Sequence, residues 1–180
     1  MENRFRLLVH GGAGTILPHE MTPEKEAAYK QGLTAALEKG HRILAAGGSA
    51  LDAVEAAVMV LEDNPLFNAG KGAVFTHAKK NEMDAAIMEG AKRQAGAVAG
   101  ISNVKNPISA AKKVLEHSEH VLLTGKGAEL FAQEQGLKLV DSSYFFTEFR
   151  YEQLLKVADS DKAFLDHNVA IKEKPEEHKY

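Results

Sequence analysis

Apolar residues recur every three to four positions in two stretches of the first third of the chain, which predicts two helices. The first helix is predicted to begin at Thr22-Pro23-Glu24, a capping hydroxyl followed by a proline and an acid, and to end before Gly47-Gly48. Its apolar positions are Tyr29, Leu33, Leu37 and Leu44. The second helix has a capping-box-like start, Ser49 with Asp52. Its predicted buried stripe is Leu51, Val54, Val58 and Leu61.

Short apolar runs predict strands at four places. Phe5–Val9 is bounded by turn residues and runs into a glycine turn, and Glu82–Met88 follows later in the chain. In Gln94–Ile101, glycine and valine alternate with alanine, which suits a central strand packed tightly between layers. His120–Leu123 is a further brief candidate.

Three more helices are predicted in the second half. They span Asn106–Glu116, Gly125–Gln135 and Tyr144–Ala158. The apolar positions of the last one include Phe145, Phe149 and Leu155.

The composition changes after residue 158. Residues 159–180 are polar and charged, and Pro175 would interrupt a helix there. We therefore predict one α/β unit over residues 1–158 and a flexible linker over 159–180, because such a composition buries too little apolar surface to order itself.

A glycine-rich loop joins the second helix to the strands that follow. Gly70 and Gly72 allow backbone angles that other residues resist, so the loop can fold tightly with its carbonyls turned inward. Asn68 supplies a donor and an acceptor at its apex. Asp84 lies in an apolar run and needs a hydrogen-bonding or charged partner. A tight helix-to-strand turn with one satisfied polar residue explains the same features, and spacing alone names no function.

Composition narrows the class of protein. The chain has 180 residues, 44% of them hydrophobic, a formal net charge of −3 and no cysteine. These values indicate one core, no disulfide or thiolate metal site, and no attraction to nucleic acid or to an anionic membrane. No apolar run approaches the roughly 20 residues that cross a bilayer, and the first apolar segment is too short for a secretory signal. We expect a cytoplasmic protein.

Two local motifs suggest chemistry that the rest of the chain does not complete. The HGGAG turn at residues 10–14 resembles the oxyanion loop of esterases, but the sequence has no G-x-S-x-G. The same turn could cradle a phosphate, but no P-loop motif is present. His117 and His120 match neither H-E-x-x-H nor H-x-x-E-H, and a solvated turn explains them better than a metal site.

Seven segments occur in one order across nearly the whole chain. They are LLVHGGAGTI, GGSALDAVEAAV, LEDNPLFNAGKGAVFT, EMDAAIMEG, AGAVAGISNVKNPISAA, LTGKGAELFA and RYEQLL. Together they resemble the plant-type asparaginase and isoaspartyl peptidase family of N-terminal-nucleophile hydrolases, especially its bacterial members.

The resemblance implies the fold and the assembly. Members of that family adopt a four-layer αββα sandwich and are made as a precursor that cleaves itself before a threonine in Gly-Thr-Val-Gly. The two products stay together as an (αβ)2 assembly. The present chain corresponds to the α-chain half, and the cleavage site is expected just after Tyr180.

The resemblance also implies where the chemistry lies. In the family the new N-terminal threonine of the β chain attacks an amide carbonyl, and its own α-amino group takes the proton. That group has an unperturbed pKa of about 7.7–8.0, which suits a base near neutrality. No catalytic residue is therefore expected in this chain. The implied substrates are β-aspartyl dipeptides and asparagine, with no cofactor; a glycosylasparaginase-like amidase and a non-catalytic α-like binding or structural protein are the alternatives.

Residues that support the site carry over by position. Gly11, Gly12 and Asn68 match residues that lie beside the nucleophile. The resemblance also implies a structural sodium ion, because hard cations take oxygen ligands and main-chain carbonyls suffice. The carbonyls implied are those of Leu61, Glu62, Asn64, Phe67, Ala69 and Lys71.

Overall fold

The computed structural model of the chain describes residues 5–12 and 21–157. These residues form an α/β structure with a small mixed sheet. Its elements are α1 (Pro23–Ala45), α2 (Ala50–Glu62), β1 (Met83–Glu89), β2 (Gln94–Ile101), α3 (Pro107–His117), β3 (Leu122–Thr124), α4 (Gly125–Glu134) and α5 (Glu148–Val157), with 3₁₀ turns at Gly70–Gly72 and Ser142–Phe145. None of the helices within these ranges is long and apolar enough to cross a membrane.

The caps of the first two helices confirm their predicted starts. The Thr22 hydroxyl accepts a 3.3 Å hydrogen bond from the backbone N–H of Lys25. The Ser49 hydroxyl accepts one of 3.0 Å from the N–H of Asp52 and donates one of 2.7 Å to the Asp52 carboxylate. Both residues thus satisfy an N–H that the first helical turn leaves without a partner.

Small residues bring α1 and α2 close together. Gly32, Ala36 and Gly40 are buried on α1, and Ala53 and Ala57 are buried on α2. A Cβ atom at Gly40 would lie 2.9 Å from the carbonyl oxygen of Ala53, which is closer than real Cβ atoms come. The two backbones therefore nearly touch, and this close packing holds the end of α2 in place.

The predicted stripe of α2 faces two different cores. Leu51, Val54 and Val58 are half-buried and pack against the core of the sheet, whereas Leu61 is buried in a second core with Ala36 and other residues of the α1–α2 pair. The helix therefore bridges the two cores.

The sheet has the order β1-β2-β3, with β1 antiparallel and β3 parallel to β2. β2 is central, as predicted, and α3 lies directly against one of its faces: a Cβ atom at Gly96 would overlap the carbonyl oxygen of Ala111. The main core lies on this side and includes Ile87, Val98 and Val114. The opposite face of β2 is only half-buried within the described residues, so a layer on both sides is not seen there.

The prediction of a strand at Phe5–Val9 is wrong for the described structure. The segment has the period-two burial of a strand, but it pairs with none of β1, β2 and β3. It lies along α1 instead: the ring of Phe5 is 5.2 Å from that of His41, and Leu7 contacts the Cα region of Gly40. Alternation shows that one side is buried, but it does not provide a partner strand.

The prediction of one helix over Tyr144–Ala158 is also wrong. A 3₁₀ turn ends at Phe145, and α5 begins at Glu148. The buried side chains of α5 are Arg150 and Leu154, whereas Phe149 and Leu155 are about half exposed. The predicted linker, residues 159–180, lies outside the described residues.

Candidate functional site

Residues 61–73, which we call the glycine loop, connect the end of α2 to the segment that leads to β1. The turn starts where the N–H of Asn64 donates to the carbonyl of Leu61 at 3.2 Å. The side chain of Asn64 then accepts a 3.0 Å bond from the N–H of Leu66, which closes an Asx turn around Pro65.

The two glycines of the loop occupy positions where no side chain fits. Gly70 has φ +51°, and a Cβ atom there would overlap the carbonyl oxygen of Glu62. A Cβ atom at Gly72 would overlap the carbonyl oxygen of Phe67 and lie 2.6 Å from that of Pro65. The tight loop that the glycines predict is therefore present, with backbone carbonyls pressed against both glycine Cα atoms.

The carbonyls of the loop divide into two groups. The oxygens of Gly70 and Gly72 accept hydrogen bonds from Ala73 N–H at 3.0 Å and from the Arg150 side chain at 2.8 Å. Four oxygens of the set implied for sodium each accept at least one backbone N–H. These four belong to Leu61, Asn64, Phe67 and Ala69. Main-chain oxygens of this kind are the ligands that hard cations take in proteins.

The side chain of Glu62 leaves the loop and caps another helix. It is 2% exposed, and its Oε1 accepts a 2.8 Å hydrogen bond from the N–H of Ile108 in the first turn of α3. Burial raises the pKa of Glu62 to about 7, against the opposing effect of the Ile108 N–H and the Asn106 amide. Asn106 itself makes no side-chain cap.

Asp63 collects three donors just outside the loop. Its Oδ1 lies 2.5 Å from the Lys105 ammonium, 3.2 Å from the Asn106 amide and 3.3 Å from the Tyr144 hydroxyl. Burial opposes ionisation here, but the hydrogen bonds from Lys105 and Asn106 hold the pKa of Asp63 below its usual value. The ammonium of Lys71 lies 5.4 Å from the centre of the Tyr144 ring, so its charge is placed on this polar cluster.

Arg150 reaches the loop from α5. Its guanidinium is buried, its Nε donates to the Gly72 carbonyl at 2.8 Å, and its Nη1 donates to Gln153 at 2.9 Å. The ring of Phe149 lies 5.4 Å from the guanidinium carbon.

Two asparagines hold the backbone that follows the loop. The Asn68 side chain accepts a 3.0 Å bond from the N–H of Val74. Asn81, which is buried, donates from its amide to the carbonyls of Ala73 at 2.8 Å and of Val74 at 3.2 Å. The predicted residue Asn68 is therefore fixed to the strand-like segment that Asn81 anchors.

The glycine turn after the N-terminal segment lies near the loop. A Cβ atom at Gly11 would be 3.5 Å from the ring of Phe67 and 3.0 Å from Leu33. Gly12 has φ +123°, and its N–H donates to the His10 ring at 3.2 Å. Gly11 therefore lies against Phe67, the residue directly before Asn68.

Two other polar features of the sequence have local partners. Asp84 is exposed, and its carboxylate accepts a 2.8 Å bond from the N–H of Gly100, so the expected hydrogen-bonding partner is present. The His117 ring lies 3.4 Å from the Lys113 ammonium and 3.7 Å from the Glu116 carboxylate. In residues 5–12 and 21–157, no group of three or more His, Cys, Asp or Glu side chains could hold a metal ion.

Comparison with known proteins identifies the family. The family model described as asparaginase matches residues 3–180. The chain belongs to the asparaginase family. The resemblance that the seven segments indicate is therefore confirmed.

Relatives of this asparaginase-family chain are about twice as long. An isoaspartyl peptidase of Salmonella typhimurium is 48% identical over 168 residues, 93% of this chain and 54% of that protein. An isoaspartyl peptidase of Escherichia coli is 47% identical over 164 residues, 91% and 51% respectively. A plant-type L-asparaginase of Pyrococcus furiosus is 53% identical over 150 residues, 83% and 47%. The chain spans about half the length of the relatives it matches.

The sequence of this asparaginase-family chain does not predict the roles of three side chains, those of Glu62, Asn81 and Arg150. Each is buried and polar, and each bonds to backbone groups in or near the glycine loop or at the start of α3. Only Glu62 has a local signal for burial, because it is an acid that directly follows the apolar residue Leu61 at the end of a helix. Arg150 and Asn81 lie in segments whose pattern gives no sign of burial.

Proposed function

We propose that this chain is the α subunit of a cytoplasmic amide hydrolase that releases β-linked aspartyl residues from isoaspartyl dipeptides and ammonia from asparagine. The observation that carries the proposal is the family match over residues 3–180 together with the closed glycine loop at residues 61–73. The names of the relatives, isoaspartyl peptidase and plant-type L-asparaginase, support the same two substrates.

In this proposal the reacting groups belong to a β subunit that begins with threonine. The threonine hydroxyl attacks the side-chain amide carbonyl, the free α-amino group accepts its proton, and the amide nitrogen leaves as ammonia or as an amino acid. Water then hydrolyses the resulting ester. The part of the present chain is to hold Asn68 and the Gly11-Gly12 turn beside that threonine.

The open face of the sheet supports a β subunit that completes an αββα sandwich. On this face Ala86 is opposite Ala97, which is opposite Leu122, and Met88 is opposite Ala95. Met88 is 66% exposed and Leu122 is 51% exposed. Such an apolar face calls for a covering layer, and its alanines leave room for a second sheet at the usual spacing of about 10 Å. An (αβ)2 assembly with residues 159–180 as the linker to the cleavage site completes the proposal.

The glycine loop is proposed to hold a sodium ion with six main-chain carbonyls. The close approach of Gly70 and Gly72 to the carbonyls of Glu62, Phe67 and Pro65 supports this, because side chains at either glycine would displace those carbonyls. The six carbonyls are those of Leu61, Glu62, Asn64, Phe67, Ala69 and Lys71. The ion would fix the loop, and it takes no part in the reaction.

The test is reconstitution with a partner. The full chain is purified alone and after co-expression with a threonine-initiated β chain of a relative, and both are assayed with a β-aspartyl dipeptide, asparagine and N-acetylglucosaminyl-asparagine. We expect turnover of the first two substrates only when the partner is present, and none when its threonine is replaced by alanine. Turnover by the lone chain would overturn the proposal that the reacting groups belong to a second chain. Preference for the glycosylated substrate would assign the chain to glycosylasparaginase-like amidases, and inactivity of a stable complex would favour a non-catalytic role.

A further inference from the structure

We propose that Arg150 is a positioning residue that fixes the last peptide plane of the glycine loop and so sets the direction of the neighbouring carbonyls. This inference deepens the proposed function, because it concerns the loop to which that function assigns a cation. Arg150 touches no reacting group.

The burial of Arg150 is the first observation. The side chain is 1% exposed and is one of the largest fully buried side chains of the described structure. Arginine is rarely buried to this extent, and a charged group away from water is stable only where its donors are bonded. Its position is therefore determined by the groups that accept its hydrogen bonds.

The second observation is the rigidity of the guanidinium. Arg150 donates from two different nitrogens, to Gly72 at 2.8 Å and to Gln153 at 2.9 Å, and the Phe149 ring lies 5.4 Å from its central carbon. The backbone N–H of Arg150 also donates to the Thr147 hydroxyl at 3.3 Å at the start of α5. Because the guanidinium is planar, these contacts fix the direction of its hydrogen bond to Gly72 as well as its length.

The third observation concerns the peptide that joins Gly72 to Ala73. Its oxygen accepts from Arg150, and its N–H donates to the Gly70 carbonyl at 3.0 Å. Both ends of this peptide plane are thus fixed. The preceding peptide carries the Lys71 carbonyl and donates through its N–H to Ala69 at 3.1 Å.

It follows that Arg150 holds the Gly72 carbonyl turned away from the loop. In doing so it keeps the neighbouring carbonyls of the loop in place. While the Gly72 oxygen is bonded to the guanidinium, the backbone before Gly72 is restricted to one conformation, because Gly72 is pressed against the carbonyls of Phe67 and Pro65. Without Arg150 the Gly72–Ala73 peptide can rotate, and a glycine at this point offers little resistance. The carbonyls of Ala69 and Lys71 then lose their defined orientation.

The test compares Arg150→Met, which keeps the bulk, and Arg150→Lys, which keeps the charge, with Leu154→Ala in the same helix. Leu154 is buried on α5 but has no bond to the loop. Amide hydrogen exchange is measured in the full chain co-expressed with its threonine-initiated partner, and exchange at Ala73 is expressed relative to Val98 in β2. We expect both Arg150 variants to speed the relative exchange of Ala73 by about tenfold or more, and Leu154→Ala to leave the ratio unchanged.

A second readout uses sodium itself. The unfolding temperature is followed as sodium chloride replaces choline chloride at constant ionic strength. We expect the Arg150 variants to need about tenfold more sodium for the half-maximal shift, whereas Leu154→Ala lowers the unfolding temperature without moving that midpoint. Unchanged exchange at Ala73 in both Arg150 variants would overturn the inference, as would an equal change in Leu154→Ala. Because amide hydrolysis is assayed separately, loss of the proposed activity and loss of the positioning role give different results.

Discussion

The carboxylate of Glu62, the last residue of α2, accepts a 2.8 Å hydrogen bond from the backbone N–H of Ile108 in the first turn of α3. One residue thus contributes its backbone to the glycine loop and its side chain to the start of the helix that covers the sheet. A carboxylate is well suited to this place, because the first N–H groups of a helix lack partners and carry partial positive charge.

Replacing Glu62 with alanine should lower the free energy of unfolding by about 2–3 kcal/mol, because the Ile108 N–H is left buried without an acceptor. Glu62→Gln keeps an acceptor of the same length, so we expect a loss of about 1 kcal/mol or less. The measurement is urea unfolding followed by circular dichroism. Glu38→Ala, at an exposed position of α1, is the control and should change stability by no more than about 0.5 kcal/mol. A cost at Glu62 equal to that at Glu38 would show that the cap contributes nothing.

Gly70→Ala should disrupt the loop, because the new Cβ atom meets the Glu62 carbonyl and the backbone has φ +51°. We expect a loss of stability of about 3 kcal/mol or more, together with loss of any sodium-dependent stabilisation. Gly127→Ala is the matched control: it lies within α4 with nothing within 4 Å of its new Cβ, so the same change should stabilise by about 0.5–1 kcal/mol.

Lys71→Ala tests whether the loop acts through its backbone. The Lys71 ammonium rests on the Tyr144 ring, so its removal should cost about 0.5–1 kcal/mol and leave the sodium midpoint unchanged. If Lys71→Ala abolishes the response to sodium while Gly70→Ala retains it, the account based on main-chain carbonyls is wrong.

Replacement by aspartate should affect Asn81 and Asn68 differently. Asn81 donates to two carbonyls, so Asn81→Asp places an acceptor against acceptors and should cost about 2–3 kcal/mol. Asn68 accepts from Val74, and Asn68→Asp keeps that acceptor, so stability should change by less than about 1 kcal/mol. Thermal unfolding of the two variants checks the ranking. Equal costs, or the reverse order, would mean that the two amides have other partners.

A charge on the open sheet face should prevent binding of a partner. Met88→Lys places an ammonium on the apolar face, whereas Leu130→Lys places one on α4. We expect Met88→Lys to abolish co-purification with a tagged β chain and to reduce self-association of the lone chain in size-exclusion chromatography. Leu130→Lys should copy the parent chain in both measurements. If Met88→Lys still binds the partner, the sheet face is not the contact surface.

The features that could be predicted from sequence are those with local causes. Thr22 and Ser49 cap helices through residues three positions on, and Gly70 and Gly72 predict a tight loop because of their own backbone freedom. The roles of Glu62 and Arg150 could not be assigned, because their partners lie 46 and 78 residues away in the sequence. The segment Phe5–Val9 shows the same limit: its alternation is real, but whether an extended segment joins a sheet depends on the strand available beside it.

The hydrogen bond between Gly72 and Arg150 spans 78 residues, which fixes when the loop can be completed during synthesis. At about 5–20 residues per second, a ribosome needs roughly 4–16 s to make that stretch. Until α5 emerges, the nascent chain carries α1, α2 and a glycine loop whose final peptide has no guanidinium to hold it. The loop therefore cannot reach its native form until α5 has been made, although residues 61–73 are synthesised much earlier.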